Sequence, residues 1–478
     1  MRNRYKLALS AAFILGLSAC DFDTDNYQEI LDKDAYKTVQ DVQNGMTGAY
    51  QALGYYPFLG NYSIAFGDFL AGISDGSASS GHMLNISDLS VTETTGEFSD
   101  CWYYGYKVID ACTRTIQGGK QILAKKEEKN LSDADEAYMD SYLGQCYALK
   151  ALAYYYLVNL YAYPYHAGTD NLGLPLIKDD PIPPFTKVDR SSVGDTYIQI
   201  TSDLTQAETH LGRASAAGIR PSAFYMGEMG LEALKARVFM DMGRYDDAAA
   251  AAKRAIGLKN NGDGTGSDNV LSNDGYINMW TSLAITTEDL FTIAKNESDN
   301  LSANSLNTLY GSYLCTLTTN TIGEYADNDI RKRLISGNTT KKFAGLSTSA
   351  ATSNIPIFRK SEMSLIIAEV AARNNNITEA RNYLLFTAKR NTDIASVDDL
   401  PDNTDDLLAF ISKERIREFS AEGHRLYDAR RTNEKVKMTS FNDEFDVSKF
   451  VLPIPADEVN AGFMVQQNSN WNEAIPAN

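Results

Sequence analysis

The residues best placed for chemistry stand at the front of the chain. Arg2, Arg4 and Lys6 precede an apolar run from Leu7 to Leu17, Ser18 and Ala19 lead into Cys20, and Asp21, Asp23 and Asp25 follow at once. A charged region, a short apolar stretch and small residues before a cysteine form the layout of a bacterial lipoprotein signal. The chemistry expected at Cys20 is therefore lipidation, with residues 1–19 removed and Cys20 as the new N-terminus. The apolar run is too short to cross a bilayer comfortably, and no other segment approaches about 18 uninterrupted apolar residues. Attachment to a membrane is expected through that lipid alone.

Elsewhere the residue types speak against catalysis. The chain has no His-Glu-x-x-His and no phosphate loop, and His82, His166, His210 and His424 are scattered without a neighbouring nucleophile. Carboxylates are too numerous for one pair to stand out as acid and base. Asn260 to Asp268 resembles a calcium loop, with Asp263 and Asp268 among glycines and asparagines, but Ser272 stands where the closing glutamate belongs, so a flexible turn is expected. Cys101, Cys112, Cys146 and Cys315 show no CxxC spacing and read as small buried residues, with a disulfide of unassigned pairing the alternative. The reading is a non-enzyme without cofactor or metal. A net charge of -18, which becomes more negative when the basic leader is lost, argues against nucleic acid and against electrostatic docking on anionic lipid.

The elements that must position any site are mostly helices in pairs. From Ala223 to Leu258, the residues Ala236, Phe239, Gly243, Tyr245, Ala248 and Ala255 fall at the spacing of a tetratricopeptide repeat, with small residues where helices touch and a glycine at the turn. Ser361 to Arg390 repeats the pattern, with Asn375 at the turn. Looser pairs are expected near 41–123 and 138–211, the latter built on the tyrosine-rich run Tyr138 to Tyr163. The insertions 54–96, 164–192 and 260–357 and the tail 432–478 are too long for simple connections. The expected fold is mainly α: a tetratricopeptide-repeat-like helical solenoid with a loop-rich subdomain containing short strands, in a single domain spanning 20–478. Lys413 to Arg431 is expected to be a charged, solvated helix face with i,i+4 pairs, and Gly423 a break or a point of close packing.

That last segment also carries a resemblance. Glu414-Arg415 through Glu418-Phe419, Glu422-Gly423, Arg425 and Asp428 to Arg430-Arg431 resembles the most distinctive motif of the SusD/RagB-like family of Bacteroidetes outer-membrane nutrient-binding lipoproteins. In the same order, Thr47 to Tyr50, Ser74-Asp75, Trp102-x-x-x-Tyr106, Gly173 to Leu176, Asp329-x-Arg331, Phe358-Arg359 with Glu362, Ile367 to Glu369 and Leu452 to Pro455 are similar to further blocks of the family. Cys112 departs from it, standing where an asparagine is common. The resemblance implies a protein on the outer face of the outer membrane that captures oligosaccharides for a SusC-type TonB-dependent transporter. Peptide capture, as in the RagB branch, is the alternative.

These motifs are scaffold and do not transfer a binding site. Aromatic faces stack on sugar C–H surfaces while carboxylates and amides take hydroxyls, so the candidates are aromatic and polar residues of the insertions. They are Asp75 and His82 in the first, Tyr103 beside it, and Trp280, Tyr310 and Tyr313 in the third. Tyr310 and Tyr313, among Asn, Ser and Thr residues, are expected to be exposed; Trp280 is expected to be exposed or covered by the strand-like run after it. Trp102 and Tyr106 are assigned to the core.

Overall fold

The computed structural model describes residues 35–183, 186–259, 271–349, 351–461 and 465–476. Cys20 and the segment from Asn260 to Asp268, expected to be a flexible turn, lie outside the described residues. Among the described residues, the helices of eight residues or more are α1 (Val39–Leu53), α2 (Tyr62–Phe69), α3 (Gly96–Ala124), α4 (Asp133–Tyr161), α5 (Val193–Ala216), α6 (Glu228–Asp241), α7 (Tyr245–Lys259), α8 (Lys360–Arg373), α9 (Ile377–Ala388), α10 (Thr404–Phe419) and α11 (Arg425–Thr432). Polar side chains start the key ones. Thr38 with Asp41, and Ser132 with Asp135, close capping boxes at α1 and α4, satisfying backbone N–H groups that no helical carbonyl reaches.

The helices stack in chain order. α1 packs on α3, α3 on α4, α4 on α5, α6 on α7, α7 on α8, and α8 on both α9 and α10. Small residues set how closely they approach. Ala233, Ala236, Ala248, Ala251, Ala252 and Ala255 are all fully buried between α6 and α7, and Ala368, Ala372, Ala380 and Ala388 do the same for α8 and α9. Gly243 and Asn375 take the left-handed turn between the two helices of each pair, with φ of 69° and 57°. α4 is the axis of the molecule: from Leu143 to Tyr161 it is buried on every face. The four cysteines are buried and free, and Cys112 packs within α3.

Among the described residues, eight short strands form four two-stranded antiparallel pairs: β1 (Ser74–Asp75) with β5 (Thr316–Leu317), β2 (Leu172–Pro175) with β3 (Arg190–Ser192), β4 (Asp289–Ile293) with β8 (Ile355–Arg359), and β6 (Ile335–Ser336) with β7 (Thr339–Thr340). They stand in the insertions. The fold is thus a helical solenoid carrying a loop-rich body.

One expectation is overturned between these two parts. The charges of 413–431 do not form a solvated face: Glu414, Glu418, Glu422, Asp428 and Arg430 are all buried. Arg359 bonds Glu418 at 2.9 Å, Glu288 at 2.7 Å and Glu422 at 2.8 Å, while Arg331 bonds Asp329 at 2.7 Å and Glu414 at 2.8 Å. Arg390 reaches Glu418 and Glu288, and Lys342 reaches Glu422 at 2.7 Å. Charges survive burial when each meets its opposite with its hydrogen bonds made, and Asp329, Glu288, Glu414, Glu418 and Glu422 each meet a cation here. The arginines hold Glu414, Glu418 and Glu288 below the ordinary carboxylate range despite their burial.

Candidate functional site

The site begins where α2 ends. Gly423 has φ of 78°, and a Cβ added to Gly67 would lie 2.0 Å from the Gly423 carbonyl oxygen, so α2 and the loop Ala421–Gly423 meet backbone to backbone. The Gly423 N–H donates to Asp68 Oδ2 at 3.1 Å. Glu422, held by Arg359 and Lys342, fixes the other side of that loop. The ion network therefore anchors α2, and α2 delivers the chain into β1.

On β1, Asp75 pairs with Thr316 of β5 and Ser74 with Leu317. Below the strand, Tyr310 is 1% exposed, its hydroxyl 2.9 Å from Ser74 Oγ and its ring stacked on Phe69 at 6.0 Å. Above it, the chain from Ser77 to His82 closes on itself through Ser77 N–H to His82 O and Gly81 N–H to Ser77 O. That turn meets the turn after Tyr310. The His82 and Tyr313 rings stack with centroids 3.5 Å apart and planes 12° from parallel, and Ser80 Oγ donates to Tyr313 O at 2.7 Å. Cys315 Sγ donates to His82 O at 3.4 Å. A third segment arrives beside them: Thr439 Oγ1 donates to Asp75 Oδ2 at 2.9 Å. Burial raises the Asp75 carboxyl above its ordinary value, with the Thr439 bond opposing the shift.

Three of the six candidates are thus brought together. His82 is exposed, Tyr313 and Asp75 are half-buried, and Ser79, Ser80 and Leu314 project around them. The cluster offers an aromatic stack with one open face, a carboxylate and several hydroxyls. Those groups can hold a ligand that is apolar on its faces and hydroxylated at its edges. The pentad Gly72-Ile73-Ser74-Asp75-Gly76 has the Gly-x-Ser-x-Gly spacing of a hydrolase nucleophile. Ser74 is nonetheless buried and bonded to Tyr310, so its hydroxyl is structural.

The other candidates lie elsewhere. Tyr310 is a correction: expected at the surface, it supports β1 from inside, because Phe69 and the turn above enclose it. Trp280, for which burial was one of the two expectations, is 3% exposed. It packs edge-on against Tyr276 and Phe343, with Lys342 Nζ 5.2 Å and the Arg359 guanidinium 5.7 Å from its ring. It roofs the ion network and presents no stacking face. Tyr103 is 59% exposed on α3, in a separate aromatic group. Trp102 is buried as expected, whereas Tyr106 is half-buried with its hydroxyl on Pro175 O at 2.9 Å. Sequence reasoning missed Thr439, since nothing local links residue 439 to residue 75. It also missed the ion network, although Glu414, Glu418 and Glu422, four apart, form one acidic row.

The chain from 290 to 471 matches the model of the SusD family, and 27–223 matches a model described as starch-binding, associating with outer membrane. No curated relative matches. A SusD superfamily protein from Bacteroides thetaiotaomicron shares 23% identity with this chain, covering 90% of it and 100% of its own length, at a TM-score of 0.76. A SusD superfamily protein from Bacteroides vulgatus, also 23% identical, covers 91% and 100% at 0.79. A SusD-like carbohydrate binding protein from B. vulgatus is 18% identical and covers 84% and 85% at 0.68. The two family models span most of the chain between them, one on the solenoid's first half and one on the ion-paired second half, and the chain belongs to the SusD/RagB-like family.

Proposed function

We propose that this protein is a lipid-anchored, outward-facing carbohydrate-binding protein of the outer membrane, which passes captured oligosaccharides to a SusC-type TonB-dependent transporter. The observation that carries the reading is the exposed His82–Tyr313 stack beside the Asp75 carboxylate, where three segments of the chain converge on one surface. A family model described as starch-binding and a structural neighbour described as carbohydrate binding support it. The basic leader and Cys20 support the anchor, and no helix among the described residues is long and apolar enough to cross a membrane.

Calorimetry against a panel of plant, microbial and host glycans tests the site. His82→Ala and Tyr313→Ala should each weaken binding of the recognised glycan at least about tenfold, the loss of one stacking contact of about 1.4 kcal/mol. Their melting temperatures should stay near the parent's. Tyr310→Ala should instead cost about 3–5 kcal/mol of stability, as for a buried aromatic. Unchanged binding by both His82→Ala and Tyr313→Ala would rule this surface out. For the anchor, Cys20→Ala should release a folded protein from washed membranes of cells lacking the transporter, and its retention there would refute the lipid as sole attachment.

A further inference from the structure

A second aromatic surface lies at the opposite end of α2. Tyr55 and Tyr56 follow α1, Tyr62 opens α2, and Tyr103 and Tyr104 stand on α3. The five rings form an unbroken series: Tyr103 to Tyr104 at 5.3 Å, Tyr104 to Tyr55 at 5.0 Å, Tyr55 to Tyr56 at 4.9 Å and Tyr56 to Tyr62 at 5.4 Å. Tyr55 is 41% exposed and Tyr103 59%, both among the most exposed large hydrophobic residues described.

Several tyrosines elsewhere use their hydroxyls within the fold. Tyr50, Tyr106, Tyr154, Tyr161, Tyr310 and Tyr325 each spend theirs on a protein partner. Among the described residues, the five hydroxyls of the surface series bond to no protein group. Polar chemistry surrounds the rings. Lys107 Nζ lies 5.0 Å from the Tyr104 centroid and 6.0 Å from that of Tyr103. Asp100 and Glu97 stand close enough for their charge to act on Tyr56 and Tyr62. Two carboxylates against one cation make a poor seat for an anionic lipid or a nucleic acid. A surface of aromatic faces edged by free phenols and carboxylates matches the faces and hydroxyl edges of a sugar chain.

We propose that these tyrosines form a second carbohydrate-contact surface, separate from the His82–Tyr313 site, which engages long glycan chains. The inference rests on the glycan-binding reading above. α2 has eight residues and is roughly 12 Å long, with Tyr62 of the tyrosine series at its start and Phe69, which packs on Tyr310 under the first surface, at its end. A polymer held at both gains affinity by effective concentration, while a short fragment held at one does not.

The test compares the full mature protein with a Tyr55→Ala/Tyr103→Ala double variant and with His82→Ala. The probes are the polysaccharide that the parent binds best, chosen from soluble starch, arabinoxylan, mannan, pectin and mucin glycans, and short oligosaccharides cut from it. The double variant should lose at least tenfold in affinity for the polymer, keep its affinity for the short fragments within twofold, and melt where the parent melts. His82→Ala should lose both. Unaltered polymer binding by the double variant overturns the proposal alone, also when co-purification with the transporter is what falls. Loss of the short fragments by the double variant overturns it too, since the tyrosines then belong to a single site. A parent that binds none of the probes overturns the glycan-binding reading itself and this proposal with it.

Discussion

Asp68 sits at the joint between scaffold and site, and its charge state is set there. The carboxyl is buried, one oxygen accepts from Gly423 N–H and the other has no partner, and burial pushes its pKa up to about 8. At neutral pH it is mostly protonated in the folded protein, while in the unfolded chain it ionises near 3.8. The unfolded state therefore releases a proton that the folded state keeps. This group lowers stability as pH rises from about 4 to about 8, and adds nothing further above that. Asp68→Asn mimics the neutral form, so denaturant titrations at several pH values should show the variant gaining on the parent as pH rises through that window. A constant difference across pH would show that Asp68 is ionised in the fold. The neighbouring Tyr310 and Tyr313 explain why residue-level reading stops short here. Both lie in the same polar stretch, and only the position of Phe69, far away in sequence, decides that one ring is enclosed and the other open.

At the scale of elements, the helix pairs were legible because their signal is local. A glycine or asparagine turn flanked by alanines at helical spacing states both the turn and the contact, as at Gly243 and Asn375. The crossing of α2 with the Ala421–Gly423 loop has no such local signature, since its two glycines are more than three hundred residues apart. The crossing is nonetheless intolerant of change. Gly67→Ala should cost about 1–3 kcal/mol, the penalty of overpacking a well-filled contact, because backbone rather than a flexible side chain meets the new methyl. Gly48 has nothing within 4 Å of an added Cβ, so Gly48→Ala in the α1 interior should be neutral or stabilising. Urea denaturation of the two variants checks the contrast, and equal midpoints would show that the contact yields. The acidic row of α10 and the segment after it misleads for a related reason. Alternating charge looks the same on a wet face as on one that meets Arg331, Arg359 and Arg390, and those partners come from elements that sequence does not place beside it.

For the whole molecule, opposing groups define a pH window. Glu369, held by Arg431 and Arg373, has its pKa lowered to about 2, so its stabilising effect is present above 4.5 and disappears as pH falls toward 2. His424, partly withdrawn from water and facing Arg237, Arg415 and Arg359, stays neutral in the fold, which costs stability below about 6.5, where the unfolded chain takes up a proton. Asp241 and Asp203, raised to about 6 by burial, act with Asp68 in the other direction. Stability measured by denaturant across pH should therefore peak between about 4 and 5 and decline as pH rises toward 8. A maximum at alkaline pH would show that the buried carboxylates are more solvated than the fold implies.

The β1–β5 pair beneath the His82–Tyr313 surface is only two residues long. Almost nothing in the turns above it is committed to holding the molecule together, since that task falls to buried charges and alanine-lined helices. Mutational drift can therefore rewrite the outward-facing residues 78–80 and 312–314 with little penalty to folding, letting ligand preference diversify faster than architecture. Neighbours that keep this fold at 15–23% identity are what such a division of labour would leave behind.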